Sequence, residues 1–446
     1  MGILALAGAW TTVRGRLGAA LAALLVLGGL AWGARELASP ADDPRVQATL
    51  SPVGILAGED TAGYARAVEP REFDFPGDHG PHPEYRTEWW YVTGHLEGED
   101  GREFGFQLTF FRAALAPGLP DRESAWNTNQ LWMGHLGLTD VETGRHWGAE
   151  RLARGAGGLA GARMPDHGGS SGTASGAIPV DPSRAKAPPP ATGRSPLLHL
   201  WVEDWEMVSG EDDLFPLRLR AREGDRALDL TLREGKPAVF QGEDGLSRKG
   251  PEPGNASYYY TFPRMPAEGT LEIQGRTFPV QGEAWMDREW STSALDEEQA
   301  GWDWFSVQLS DGRELMFFEL RRRDGTADTL NHGSLVAPDG TWEVLGHGDV
   351  EVAVLDWWES PLDGARYPSG WRLRIPDRGV DLRLEPVVRD QEMNLSFRYW
   401  EGAVRVEGEG VAGPVTGRGF VELTGYGEEA EGRGERGAST RPGGGS

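Results

Sequence analysis

The chain has 446 residues, no cysteine and a formal net charge of −25. The lack of cysteine excludes disulfides, thiolate catalysis and cysteine-type zinc sites, and the acidic charge argues against a nucleic-acid partner because phosphates would repel this surface. The composition includes 18 Trp, 64 Gly and 30 Pro beside many short apolar runs. It favours antiparallel sheets joined by frequent turns, and the length allows two or three domains.

The N-terminal segment has the pattern of an export signal. Arg14 and Arg16 precede an apolar run over residues 17–34, as in the charged and hydrophobic regions of a signal peptide. The run is also at the lower limit for a membrane span, so residues 1–40 are either a signal peptide or an N-terminal membrane anchor. Both alternatives predict a periplasmic or cell-envelope protein. Residues 41–69 have the composition of a linker.

A loop rich in Pro and Gly covers residues 75–85. Its two histidines, His79 and His82, are the first candidate metal ligands, with Asp78 or Glu84 as possible third donors. Gly80-Pro81 between them prevents the helix that would align both rings on one face. We therefore predict no metal site and no cofactor.

The strand that follows this loop carries the first candidate ligand-binding residues, Glu88, Trp89 and Trp90. Glu88 precedes two large aromatic residues and is a candidate buried acid. Arg86 lies two residues earlier, on the same face of the strand, and would neutralise it. A later strand over residues 130–140 places His135 on its less apolar face, where it either points into a barrel lumen or makes a structural hydrogen bond.

Two segments repeat the same pattern. Trp89 to Leu96 and Trp302 to Leu309 are aromatic strands, and each is followed by the turn Asp-Gly-Arg-Glu and by a second apolar strand. This is the pattern of a β-hairpin, and its recurrence indicates a duplicated β domain. We predict a first domain over residues 70–250, a second over 251–427 and a disordered tail over 428–446. Residues 151–196 lack large apolar side chains and are predicted to be a long loop.

Asp287 is the main candidate acid. It lies between Trp285 and Trp290, whose apolar surfaces raise the pKa of a carboxyl, and beside Arg288, whose guanidinium lowers it. An ion pair of purely structural importance explains the same pattern. Three consecutive tyrosines at 258–260 supply a phenol that needs a polar partner inside the fold, and Asp287 is a plausible one.

The motifs described above, together with segments at 102–112, 241–260 and 301–320, resemble the AttH-like proteins related to the carotenoid 1,2-hydratases. The resemblance covers nearly the whole chain after residue 70 and implies two tandem lipocalin-like antiparallel β-barrels, an envelope location and association with ABC-transporter permeases. It also implies that Asp287 matches the proposed catalytic Asp of the hydratases, in Trp285-Met286-Asp287 where they have Tyr-x-Asp. Their upstream His-x-Trp is replaced by Tyr258-Tyr259-Tyr260.

These observations predict an exported protein that binds a hydrophobic lipid or isoprenoid ligand and serves an ABC transporter of the lipoprotein-export type. We expect a binding protein first, because a phenol cannot replace imidazole as a base at neutral pH. The alternative is a hydratase that adds water to an isoprenoid double bond by acid catalysis at Asp287. The candidate catalytic residues are Asp287, Tyr258, Tyr260 and Trp285, and the candidate ligand-binding residues are Glu88, Trp89, Trp90, His135, Trp290, Trp302 and Trp304.

Overall fold

The computed structural model describes residues 61–118, 124, 126–164, 195–293, 296 and 298–426, all within one compact unit. The predicted signal peptide or anchor, most of the predicted linker and the predicted tail lie outside these residues. So does most of the predicted long loop. Within the described ranges, no helix has the length and apolar character needed to cross a membrane.

The first β-sheet contains the strands of the N-terminal barrel. The strands are β1 (Thr87–Gly98), β2 (Glu103–Ala114), β3 (Gln130–Asp140), β4 (Arg145–Arg154), β5 (Ala160–Arg163), β6 (His199–Val202), β7 (Trp205–Val208), β8 (Leu217–Glu223), β9 (Arg226–Leu232), β10 (Val239–Phe240), β11 (Leu246–Arg248), β12 (Ala256–Ile273) and β13 (Arg276–Ser293). Their order in the sheet is β4-β3-β2-β1-β13-β12-β9-β8-β7-β6-β5, with β10 and β11 also paired to β12. Strand β6 packs against β3 and β4, which brings the two ends of the sheet together into a nearly closed barrel.

The second sheet forms the C-terminal barrel. The strands are β14 (Gln299–Leu309), β15 (Glu314–Arg322), β16 (His332–Val336), β17 (Trp342–Leu345), β18 (Glu351–Val354), β19 (Trp357–Glu359), β20 (Arg366–Pro368), β21 (Trp371–Ile375), β22 (Val380–Pro386), β23 (Glu392–Asn394), β24 (Arg398–Gly410) and β25 (Gly413–Leu423). Their order in the sheet is β17-β16-β15-β14-β25-β24-β22-β21-β18, β23 is paired to β24, and β19 and β20 form a separate ribbon. Short 3-10 helices cover Gly77–His79 and Pro376–Arg378.

The chain is therefore all-β, with two tandem lipocalin-like antiparallel barrels, as expected. In both sheets the first four strands form a meander, and a long C-terminal hairpin then pairs with the first strand. The repeated segments occupy the first two strands of each sheet. Their turns share the same hydrogen bonds, from Gly101 N to Gly98 O in one and from Gly312 N to Leu309 O in the other.

Two predicted boundaries are wrong. The first sheet extends to Ser293 and the second begins at Gln299, so the division between the barrels lies some 45 residues after the predicted one at 250. The reason is that the long hairpin β12–β13 closes the first barrel rather than opening the second. In addition, the predicted loop over 151–196 contains the end of β4 and all of β5.

Each strand of a barrel wall has one face toward the barrel core and one face outward. Leu228, Leu230 and Leu232 of β9 are buried in the first core, as the alternation in this strand predicts. A separate cluster between the sheets combines outward-facing residues of both barrels, among them Tyr91, Tyr259 and Trp304. The barrel interiors are thus filled by their own side chains, and the faces between the barrels remain for a site.

Reciprocal ion pairs join the barrels at the two Asp-Gly-Arg-Glu turns. Glu103 of the first turn bonds Arg405 and Arg418 of the second barrel. Glu314 of the second turn bonds Arg264 of the first barrel at 2.6 Å and Lys236 at 2.6 Å. Each barrel therefore uses the Glu of its own Asp-Gly-Arg-Glu turn to form ion pairs with the other barrel.

Candidate functional site

A cavity of about 130 Å³ lies between the two barrels. An apolar cavity of roughly 150 Å³ admits a molecule the size of benzene, so this one has room for a group of about that size. Its wall comes from both sheets and from the segments that join their strands: Thr87, Glu88, Trp89, Tyr91, Gln107, Phe111, Arg112, Ala113, Met133, Lys249, Tyr259, Asp287, Glu289, Trp302, Trp304, Phe318, Leu320, Phe397, Tyr399, Glu401 and Glu422.

Strand alternation explains which of the predicted residues reach this cavity. Trp89, Trp302 and Trp304 line it, because they lie on the outward faces of β1 and β14. Trp90 and Trp290 belong instead to the core of the first barrel. Two predicted ligand-binding residues, Trp90 and Trp290, therefore do not line this cavity, because neighbours along a strand point to opposite faces.

Asp287 lies on the wall of the cavity and is only 3% exposed. Its Oδ1 accepts hydrogen bonds from Thr261 Oγ1 at 2.6 Å and from Trp285 Nε1 at 2.8 Å. Its Oδ2 accepts one from Tyr259 Oη at 2.8 Å. Both lone pairs of Oδ1 are thus occupied, whereas Oδ2 keeps one position for a proton.

Burial raises the pKa of Asp287 to about 7, although the hydrogen bonds from Thr261, Trp285 and Tyr259 act in the opposite direction. Arg288 does not oppose this effect by contact, contrary to one of the expectations above. Its guanidinium points to the other face of β13, where it bonds Glu88 and lies 3.9 Å from the Trp90 ring. Asp287 can therefore hold a proton near neutral pH.

Among the three tyrosines, Tyr259 is the partner of Asp287, whereas Tyr258 and Tyr260, the predicted catalytic tyrosines, bond other groups. Tyr258 and Tyr260 point into the first barrel, where Tyr258 Oη donates to Glu69 O at 2.9 Å. Tyr260 Oη lies 2.7 Å from His79 Nδ1. On β12, Tyr259 and Thr261 reach Asp287. Each lies one residue after one of the predicted tyrosines, Tyr258 and Tyr260.

Glu88 belongs to a buried ionic network on the inner face of the first barrel. Its carboxylate bonds Arg112 and Arg288 rather than the predicted Arg86, and these charges hold its pKa well below the usual range even though burial acts to raise it. His82 joins the network through a 3.0 Å contact between its Nδ1 and Arg288 Nη2. The surroundings of Glu88 make it a structural ion.

His135 lies behind the cavity wall and not in a barrel lumen. Its Nδ1 is 2.9 Å from Tyr399 Oη and its Nε2 is 3.1 Å from a Glu150 carboxylate oxygen. Burial lowers its pKa. It is thus a buried histidine that orients a tyrosine of the cavity wall.

The second barrel contributes two acids to the cavity that the sequence interpretation missed. Tyr91 Oη donates to Glu401 Oε1 at 2.6 Å, and Trp302 Nε1 donates to Glu422 Oε1 at 3.1 Å. Burial raises the pKa of Glu422 to about 8 and raises that of Glu401 well above the usual range. Each is a single acid within an aromatic or apolar strand, the same signal that drew attention to Asp287.

Lys249 and Glu289 form the remaining charged pair at the cavity. Their charged atoms are 3.5 Å apart, and the Lys249 ammonium lies 3.8 Å from the centre of the Phe318 ring. Burial lowers the pKa of Lys249. The cavity thus combines an aromatic wall, an ion pair and three acids whose pKa values are raised.

Comparison with known proteins gives a family and two informative structures. A sequence model of the AttH-like family matches residues 66–168 and 182–426. A crystal structure described as an AttH protein of Nitrosomonas europaea shares 32% identity, with a TM-score of 0.64, over 81% of this chain and 99% of that one. Kievitone hydratase from Nectria haematococca shares 16% identity and a TM-score of 0.56 over 81% and 97% of the two chains, which shows a common fold. No curated protein sequence matches the chain.

Proposed function

This chain belongs to the AttH-like family, and from that premise we propose that it hydrates an alkene of a hydrophobic substrate by acid catalysis at Asp287. One observation carries the proposal: Asp287 is buried at an aromatic cavity and held by three neutral donors, Tyr259, Thr261 and Trp285. Protonating an alkene requires a carboxylic acid that stays neutral in a dry pocket. The second fold neighbour is named for a hydratase, which is consistent with this reaction.

In this reaction the carboxyl group of Asp287 acts first as a general acid and then as a general base. The proton on Oδ2 of Asp287 is transferred to an alkene carbon, which leaves a carboxylate and a carbocation. Tyr and Trp faces of the wall stabilise the positive charge. The oxygen of a water molecule then bonds to the cation, and the proton released from that water returns to Asp287, so that one water is added and the acid is restored.

Isotope incorporation tests this proposal. We expect the purified protein to convert at least one of two prenyl alkenes, 4-prenylphenol or lycopene, to an alcohol that contains ¹⁸O when the reaction is run in H₂¹⁸O. Asp287→Asn should abolish the labelled product, while the control Asp311→Asn, at an exposed acid of the second turn, should retain it. If the wild type forms no labelled alcohol, or Asp287→Asn forms as much as the wild type, the proposal is wrong.

A ligand carrier is the second candidate, because the same aromatic wall would hold an apolar ligand without chemistry. In that case Asp287 is a structural acid, the protein is exported, and a transporter permease in the membrane is its partner. Native mass spectrometry of protein purified from membranes should then show bound lipid. Alkaline phosphatase fused after Glu69 should be active, and an inactive fusion would exclude export.

A further inference from the structure

Two buried oxygens on the cavity wall lack a hydrogen-bonding partner among the described residues. They are Oε1 of Gln107, from the first barrel, and Oε2 of Glu401, from the second. Both side chains line the cavity and belong to residues that are 1% exposed. A buried polar atom without a partner has lost its hydrogen bonds to water and destabilises the fold. Such oxygens at a cavity are therefore acceptors for a bound molecule that can donate hydrogen bonds.

Among the residues that the structure describes, the other unpartnered atoms do not have this arrangement. Arg112 also lines the cavity and has an unpartnered Nη1. Its guanidinium, however, points to the inner face of the first barrel, where it bonds Glu88 and the carbonyl oxygens of His82 and Tyr85. Gln107 and Glu401 are thus the pair that leaves acceptor oxygens for a ligand.

Glu422 adds a donor to the same part of the wall. It is opposite Glu401 in the β24–β25 register, and each acid has one oxygen bonded to an aromatic donor, Tyr91 or Trp302. Burial raises the pKa of both acids, which favours the protonated carboxyl group, a donor as well as an acceptor. A hydroxyl group, which is both donor and acceptor, is the ligand group that matches this set.

We propose that Gln107 and Glu401 bind a hydroxyl group of the substrate, so that the substrate is an alkene with an alcohol or phenol rather than a pure hydrocarbon. The assignment of the alkene rests on the function proposed above, whereas the hydroxyl subsite stands on these oxygens. Tyr91 links the two parts of the site. Its backbone is opposite Asp287 in the β1–β13 register, and its hydroxyl reaches Glu401.

The test compares two probes that differ only in the hydroxyl, 4-prenylphenol and prenylbenzene. Binding to wild type is measured by quenching of tryptophan fluorescence. We expect the phenol to bind at least about tenfold more tightly, because a site built to bond a hydroxyl disfavours the analogue that lacks it. Glu401→Met and Gln107→Met, which remove the polar atoms that would bond the hydroxyl, should each reduce the preference to less than about threefold. Equal binding of both probes to wild type would overturn the proposal.

Controls separate folding from recognition and this inference from the proposed function. Near-UV circular dichroism identifies the folded variants, and a preference retained in every folded variant of Gln107 and Glu401 contradicts the subsite. Asp287→Asn should keep the preference while it loses hydration. A preference for the phenol without ¹⁸O incorporation would contradict the hydratase proposal and support the hydroxyl subsite. Hydration of both probes, bound with equal affinity, would support the hydratase proposal and contradict the hydroxyl subsite.

Discussion

The two barrels have the same strand order but place their cavity acids at different positions. Counted from the tight turns of the closing hairpins, Ile273↔Arg276 corresponds to Gly410↔Gly413. Glu422 then occupies the place of Trp285, and Thr424 the place of Asp287. The duplication therefore provided two outward faces that meet, whereas the acids on these faces are not equivalent residues.

The surroundings of the acids differ as much as their positions. Asp287 has three neutral donors that fix its orientation. Glu422 accepts a hydrogen bond from Trp302 and lies opposite a second acid, Glu401. A single well-oriented acid suits proton transfer to carbon, whereas two adjacent acids suit recognition of a polar group. The neighbours of each acid, more than its burial, distinguish the two roles.

The largest expected effect separates these roles by turnover. Asp287→Asn should lower kcat for hydration by about 10²–10⁴, the range for loss of a general acid. Glu422→Gln should lower kcat by less than about tenfold and act mainly on KM, because it alters the wall that binds the substrate and leaves the proton donor Asp287 in place. Steady-state kinetics with a hydroxylated prenyl alkene measures both. An equal loss of kcat in the two variants would show that the acids act together.

The inner faces of the barrels offer a second comparison. In the first barrel Glu88 is fully buried between Arg112 and Arg288. In the second, Asp303 bonds Arg321 at 2.9 Å and accepts a hydrogen bond from Tyr426, and Arg321 is partly exposed. The side chains of Glu88, Arg112 and Arg288 are all buried. Water therefore cannot solvate an arginine of this network that loses its carboxylate partner.

Glu88→Gln should therefore destabilise the protein by about 3–5 kcal/mol, because it leaves two buried guanidinium groups without their counter-charge. Asp303→Asn should cost about 1–2 kcal/mol, since water can solvate the exposed part of Arg321. Urea denaturation followed by tryptophan fluorescence gives both values. Similar losses in the two variants would mean that the inner faces are energetically alike, contrary to this comparison.

The pH dependence of stability tests the environment of Asp287. Its pKa is raised from 3.8 to about 7 in the folded state, so between these pH values the folded protein binds more protons than the unfolded chain. Stability should then decrease as pH rises through this window. Asp287→Asn lacks this effect and should gain about 2–3 kcal/mol relative to wild type between pH 5 and pH 8. A constant difference between the two proteins over this range would show that Asp287 is already ionised at pH 5.

Much of the fold could be predicted from the sequence because it depends on local patterns. The repeated Asp-Gly-Arg-Glu turns with aromatic strands located the first hairpin of each barrel. The barrel boundary was missed because no local signal shows that the hairpin β12–β13 pairs with β1, nearly 200 residues earlier in the chain. Strand pairing at such separations depends on the tertiary structure.

The candidate site could be predicted only in part, for a similar reason. Asp287 was identified from its aromatic neighbours, but a strand alternates its faces, and an error of one residue selects the wrong face. This explains why Tyr258 and Tyr260 were selected instead of Tyr259. Glu401 and Glu422 were missed because a site between two barrels is formed by residues that no single repeat contains.

The smallest expected effect concerns the turns themselves. Gly101 and Gly312 have φ values of +80° and +84°, a region in which a Cβ atom costs about 1–2 kcal/mol. A Cβ on Gly101 would meet open space, and one on Gly312 would make an ordinary 3.4 Å contact with Pro338. Substitution by Ala should therefore cost about 1–2 kcal/mol at each turn.

The control Gly118→Ala, at a glycine in open space without positive φ, should be nearly neutral. Chemical denaturation midpoints measure all three, and a cost at one turn several times that at the other would show that the two turns, although alike in hydrogen bonding, have diverged in their contribution to stability.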